Sequence, residues 1–224
     1  MRRVRALFVT GILRSYVYID GFNLYFGCLK KTPYRWLDLE AFCGRLLPKH
    51  DVAMIRYFTA RVTPLPGFDP TSGQRQDVYL RALRTCPKVS IHLGEYRAGP
   101  ARLPIHPPPA HGNPMATVLK STEKGSDVNL ASYLLLDGFQ RRYEQAIVLS
   151  NDADLVTPVG MVRTELGLPV GVVFPCTNAG RSPVASLRKV ATFTRNVHEG
   201  ALKTSQFLNH LTDTTGTFSK PPTW

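Results

Sequence analysis

The chain is short of acidic residues. Its 224 residues carry 16 Asp and Glu against 28 Lys and Arg, a formal net charge of +12. That balance is a statement about partners rather than fold, and it leaves nucleic acid and anionic membrane surfaces open. Paired cysteines are missing too. Cys28, Cys43, Cys86 and Cys176 stand apart, with no C-x-x-C spacing, which excludes a zinc ribbon and a dithiol redox motif. Isolated cysteines in a chain of this size read as buried thiols in a reducing compartment, so a cytoplasmic location is expected. No run reaches the roughly 18–20 apolar residues of a membrane span. There is no Gly-rich phosphate loop and no Ser-His-Asp or Cys-His arrangement. The histidines at 50, 92, 106, 111, 198 and 210 are scattered. His106 and His111 read as surface-loop residues rather than a metal pair. No internal repeat is present.

What remains is a globular composition, 43% hydrophobic and 20% charged, with enough chain for a real core. Residues 1–14 pair an Arg-rich start with a short apolar stretch. They lack a small-residue cleavage site, and Arg14 interrupts them, so they read as a leader rather than a signal peptide. Tyr16–Ile19 is a short apolar strand of the fully buried kind. Further strands are predicted at Val52–Val62, Lys88–Tyr96, Gln145–Leu149 and Val170–Phe174. Helices are predicted at Asn23–Leu29, Asp38–Leu47, Gln74–Arg84, Asp127–Leu136, Leu155–Leu166, Ser182–Val190 and Glu199–Leu211. The stretch 99–114 is dense in Pro, Gly and His and reads as an inserted loop. Residues 212–224 read as a tail. Strands alternating with helices imply an α/β domain, a parallel sheet sandwiched by helices.

The few acids are not scattered. Asp20 follows the first strand, with Asn23 three residues on. Asp127 opens a helix, and Asp152 and Asp154 follow the strand that ends at Leu149. At the carboxyl ends of neighbouring strands such residues converge on one crevice. Carboxylates gathered there repel one another and raise each other's pKa, and a divalent cation relieves them. Asp152 and Asp154, two apart, can reach one cation together. Helix capping would explain one of them but not both. Gly21 permits a sharp turn out of the strand. Asn23 can cap the next helix while its amide orients Asp20. Lys120 and Lys124 can hold a phosphate, and so can the helix carrying Arg75, Arg81 and Arg84.

Three segments, Ile19-Asp20-Gly21-Phe22-Asn23-Leu24, Lys124-Gly125-Ser126-Asp127-Val128 and Leu149-Ser150-Asn151-Asp152-Ala153-Asp154-Leu155, resemble the three signatures of NYN domains. The nearest pattern is that of the bacterial LabA-like branch of the PIN-like ribonuclease superfamily. The resemblance runs from about Tyr16 to Val197, giving a nuclease domain at 15–198 and a carboxyl-terminal helix and tail at 199–224. It departs from the pattern at Leu155, where phenylalanine is usual, and in the 99–114 segment. It implies a three-layer α/β/α sandwich with a mainly parallel central sheet. It also implies metal-dependent hydrolysis of RNA by an endonuclease, with Mg²⁺ or Mn²⁺ as cofactor and RNA as partner. Asp20, Asp127, Asp152 and Asp154 would then be catalytic and metal-binding, and Asn23, Ser150, Lys120 and Lys124 would bind substrate. A homodimer is compatible with this reading.

Two rivals can be stated. Asp152-Ala153-Asp154-Leu155-Val156 matches the D-x-D-x-[TV] pattern of haloacid-dehalogenase phosphatases. That chemistry needs further acids downstream, where only Glu165, Glu199 and Asp213 remain. The other rival is a non-catalytic RNA-binding module, using basic charge and aromatics such as Tyr57, Phe58, Tyr79 and Tyr96. Those aromatics suit a core equally well, and four acids retained without a metal would be costly.

Overall fold

A computed structural model of the chain describes residues 12–67, 69–175 and 182–224. The leader expected at 1–14 therefore falls mostly outside the described residues, and Arg14 already belongs to the first strand. β1 (Arg14–Asp20) is buried from Ser15 onward. α1 (Gly21–Leu24) continues into a π-helical turn at Tyr25–Leu29, and α2 (Leu39–Leu46), β2 (Asp51–Ala60) and α3 (Ser72–Leu83) follow. Next come β3 (Val89–Pro104), β4 (Met115–Lys124), α4 (Ser126–Phe139) and β5 (Gln145–Leu149). A 3-10 turn at Ala153–Leu155 leads into α5 (Val156–Thr164), β6 (Val170–Phe174), α6 (Ala185–Val190) and β7 (Phe193–Asn196). α7 (Glu199–Thr204), β8 (His210–Asp213) and β9 (Gly216–Ser219) close the chain.

Seven strands form one sheet in the order β4-β3-β2-β1-β5-β6-β7. All neighbours are parallel except β3 and β4. β1 lies at the centre. The chain grows outward from it through β2 and β3, then returns to its other side for β5 and β6, so β1 and β5 flank the topological switch point. Alternation along β1 feeds two cores. Tyr16 and Tyr18 pack with Leu130, Leu134, Val159, Val162 and Leu187 of α4, α5 and α6. Val17 and Ile19 pack with Leu39, Phe42, Leu80, Leu83 and Leu202 of α2, α3 and α7. The result is a three-layer α/β/α sandwich with a mainly parallel central sheet. Cys28, Cys43 and Cys86 are buried thiols, as expected. Cys176 lies outside the described residues.

One polar group is built into this apolar frame. Asp137, near the end of α4, is wholly buried. It accepts from Arg56 Nε at 2.6 Å and Nη2 at 3.0 Å. It also accepts from the Tyr18 hydroxyl at 2.7 Å and from Arg142 at 3.0 Å. Arg56 in turn lies over the Tyr133 ring, 4.7 Å from its centroid. A buried carboxylate is tolerated only when it is paired and hydrogen-bonded to this degree.

Three expectations change. Residues 99–114 are not an inserted loop. β3 runs to Pro104 and pairs in antiparallel fashion with β4 from Met115, leaving only 105–114 as the connection. Beyond Gly94, β3 has lost its β2 neighbour, and a strand with a partner on one side only can carry Pro100 and Pro104 where no ladder donor is needed. The last helix stops at Thr204 rather than Leu211. The tail is instead a hairpin, β8–β9, ending in Trp224, which packs on Trp36 at 6.3 Å and Tyr79 at 5.7 Å. Arg81 clamps that hairpin through Asp213, at 2.7 Å from both Nε and Nη2, and stacks over Phe218. β7, unforeseen, is a four-residue edge strand with mostly exposed side chains, too short to show a period.

Asp137→Ala should cost about 3–5 kcal/mol, because it strands the Arg56 charge in the core. Denaturant unfolding of the two proteins at neutral pH measures this. A loss below about 1 kcal/mol, the range of exposed pairs, would show that the network does not hold the layers together.

Candidate active site

The candidate site sits at the carboxyl ends of β1 and β5. Asp20 is the last residue of β1 and, at 2% exposure, is almost wholly buried. Its side chain caps α1. Oδ1 accepts the Asn23 backbone N–H at 2.9 Å, and Oδ2 accepts Asn23 Nδ2 at 2.6 Å and Ser150 Oγ at 2.9 Å. The cap is thus Asp20 rather than Asn23, whose own Oδ1 receives the Asn151 N–H at 3.4 Å. Gly21 is needed for space, not for a special backbone angle. A Cβ there would stand 2.7 Å from the Phe58 carbonyl oxygen and 2.8 Å from the Tyr57 ring.

The β5 side is wired to the same carboxylate. Ser150 is fully buried, and its hydroxyl also accepts the Asp152 N–H at 3.1 Å. Asp152 Oδ1 accepts the Asp154 N–H at 3.0 Å and so caps the 3-10 turn. Capping therefore accounts for Asp152, while Asp154 stays exposed. Asn151 ties the segment down on its far side, donating to Ser182 O at 3.1 Å and accepting the Val184 N–H at 2.8 Å.

Asp127 comes from the other wall. Gly125, with φ +94°, turns the chain out of β4 into α4. A backbone angle in that region favours glycine. Glu123 Oε1 accepts the Ser126 N–H at 2.9 Å and secures the first turn. Asp127 in that turn has its pKa raised to about 6, first by burial and then by the charges of Asp20, Asp152, Glu123 and Asp154. The Asp20 carboxyl is also pushed up, mainly by burial, against the lowering effect of its hydrogen bonds to Asn23 and Ser150. Five carboxylates thus act on one crevice. Glu123 is the one that sequence reasoning missed, although it stands one residue before the Lys124-Gly125-Ser126-Asp127 run.

The other expected substrate contacts fare differently. Asn23 and Ser150 are committed to holding Asp20, and Ser150 is buried from solvent. Lys120 and Lys124 are exposed on β4. Strand alternation places both on the face of the hairpin opposite Glu123, so they do not line the crevice in which the acids meet. Arg75 is paired with Asp69, and Arg81 with Asp213, so neither is a free phosphate ligand. His106 and His111 are exposed in the 105–114 connection. Of the aromatics, Tyr57, Phe58 and Tyr79 are core residues, and Tyr96 is half-buried beside the crevice.

The NYN domain model matches residues 14–195. The chain belongs to the NYN-domain family and hence to the PIN-like nuclease superfamily. It is similar to 6-hydroxy-3-succinoylpyridine 3-monooxygenase HspA of Pseudomonas putida, with 31% identity over 239 residues, spanning 95% of this chain and 75% of that protein. Among solved structures it is similar to a protein of unknown function from Vibrio parahaemolyticus. The TM-score is 0.54 at 13% identity, spanning 86% of this chain and 98% of that one, a likeness of fold alone. No helix among the described residues is long and apolar enough to cross a membrane.

The family points to a divalent metal, and the donors are of the right kind. They are all oxygen, anionic and mutually repelling, as hard divalent cations require. Among the described residues no group of three or more His, Cys, Asp or Glu side chains is gathered to hold an ion.

The raised Asp127 pKa carries a stability signature. Folding favours its neutral form, so its contribution is full below pH 4 and is lost as the pH rises through about 6. In metal-free buffer Asp127→Asn should therefore melt on the order of a few degrees higher than wild type at pH 7.5, and at the same temperature at pH 4. Thermal scans at both pH values test this, and equal melting temperatures at pH 7.5 would show that folding does not penalise the Asp127 charge.

Proposed function

We propose that the chain is a divalent-metal-dependent endoribonuclease whose site is the carboxylate crevice at the β1–β5 switch point. One observation carries the reading: in a chain with net charge +12, Asp127 feels the charges of Asp20, Asp152, Glu123 and Asp154. A repelling acid cluster in a cationic protein suits a metal ion that acts on a polyanion.

In this reading Asp20, Asp127, Asp152 and Asp154 hold Mg²⁺ or Mn²⁺. Asn23 and Ser150 fix the Asp20 carboxylate. The bound cation supplies a Lewis acid that lowers the pKa of water and offsets charge at the phosphate. Asp154, the exposed acid, takes the proton of the attacking water. The water oxygen bonds to phosphorus, the bond to the leaving ribose oxygen breaks, and that oxygen takes a proton from solvent. Attraction to the rest of the RNA comes from the basic surface, including Lys120 and Lys124 on the hairpin's far face, and falls with salt.

A second reading is favoured by the identity with the Pseudomonas protein, whose name is that of a monooxygenase acting on 6-hydroxy-3-succinoylpyridine. A purely RNA-binding role is the third. Cleavage of a panel of RNAs with and without Mn²⁺ separates all three. Asp20→Asn should lose at least about a hundredfold in cleavage rate, and Ser150→Ala about tenfold to a hundredfold, because it frees the carboxylate it holds. RNA binding in chelator should persist in both variants. Cleavage by Asp20→Asn at the wild-type rate would assign the activity elsewhere. Binding without cleavage under any metal would leave the non-catalytic role. Consumption of O₂ with 6-hydroxy-3-succinoylpyridine and a reductant, in place of RNA cleavage, would support the second.

A further inference from the structure

The crevice has an aromatic wall that the chemistry does not use. Phe22 follows Asp20 and Gly21 directly, on the first turn of α1. Tyr96 lies on β3 opposite Glu123 of β4. The two rings meet edge to face, with centroids 5.8 Å apart and planes at 79°. Both are half-buried, unlike the core aromatics Tyr57, Phe58 and Tyr79. Each ring is tied to a crevice acid: Phe22 lies two residues from Asp20, and Tyr96 sits in the field of Glu123, which also acts on Asp127. The next cross-strand pair on the same face is Ala98 with Ser121. Ala98 is exposed there.

From this geometry we infer that Tyr96, braced by Phe22, is a nucleobase-stacking subsite beside the carboxylate crevice, taking one unpaired base of a single-stranded RNA next to the phosphate to be cut. The inference rests on the proposed nuclease reading. The edge-to-face contact fixes the tilt of the Tyr96 ring, so the platform is formed before the base arrives. A base still paired and stacked in a duplex presents no free face to it. The subsite therefore discriminates by strandedness and not by base identity.

The test uses the full chain and a short single-stranded RNA carrying 2-aminopurine, with binding followed in chelator so that nothing is cut. Wild type should quench the fluorophore on binding. Tyr96→Ala should abolish the quench and weaken affinity by roughly fivefold to a hundredfold. It should leave duplex binding and the salt dependence unchanged, since no phosphate contact is removed. Tyr96→Trp should restore quench and affinity, which a distorted hairpin would not allow. Unchanged affinity and quench in Tyr96→Ala overturn the subsite while leaving the nuclease reading standing, provided wild type cleaves RNA in Mn²⁺. Equal losses on single strand and duplex, or a changed salt slope, also overturn it. A wild type that neither binds nor cleaves RNA removes the nuclease reading and the subsite with it.

Discussion

The position of the candidate site depends on one buried ion pair. Asp137 joins α4 to the sheet by accepting from Arg56 of β2 and from Tyr18 of β1. Asp127 lies ten residues earlier on the same helix, about 15 Å along its axis. Tyr18 and Asp20 lie two apart on β1 and so share a face. The helix is therefore pinned to the same strand that carries Asp20, and its opposite end brings Asp127 to that strand's carboxyl edge.

This arrangement sets two kinds of cost against each other. Asp20 and Asp127 are held where burial and mutual repulsion push both carboxyls upward. The fold meets that cost with hydrogen bonds that serve local structure as well. Asp20 caps α1, Asp152 caps the turn after β5, and Glu123 secures the start of α4. Each acid of the cluster that could be absorbed into a cap has been, apart from Asp127 and Asp154. In the proposed reading those two would keep free the oxygens that a cation or water needs.

The frame was legible because β1 and β5 contain short apolar runs, at 16–19 and 146–149, each followed by an acid-bearing segment, and because helices separate the parallel strands. Asp20, Asp152 and Asp154 were legible for the same reason, as breaks at the ends of those runs, and Asp127 as the acid that opens a helix. The β3–β4 hairpin was not. Its prolines argue against a strand by local propensity, and only the loss of the β2 neighbour beyond Gly94 makes them acceptable. Glu123 was hidden with it, since it reaches the crevice through a pairing of distant residues. Arg81 read as free positive charge because nothing local reveals Asp213, 132 residues further on, whereas Asp69, the partner of Arg75, lies nearby in sequence and was simply not weighed. The β8–β9 segment has no period long enough to be seen, and tertiary contact with Arg81 and Trp36 gives it its shape.

The aromatic cluster under that terminal hairpin has an optical consequence. The chain has two tryptophans, and Trp36 and Trp224 stand with ring centroids 6.3 Å apart. Trp36 is wholly buried and gives its indole N–H to Leu208 O at 2.8 Å, while Trp224 covers it from the last residue of the chain. Intrinsic fluorescence therefore reports from a single locus, on the face of the sheet opposite α4. It registers whether the carboxyl-terminal segment is seated and is silent about the carboxylate crevice. An emission shift on denaturation marks undocking of that segment, and only a backbone signal such as circular dichroism marks the loss of the sheet. Where the two signals part, the fold comes undone in two steps.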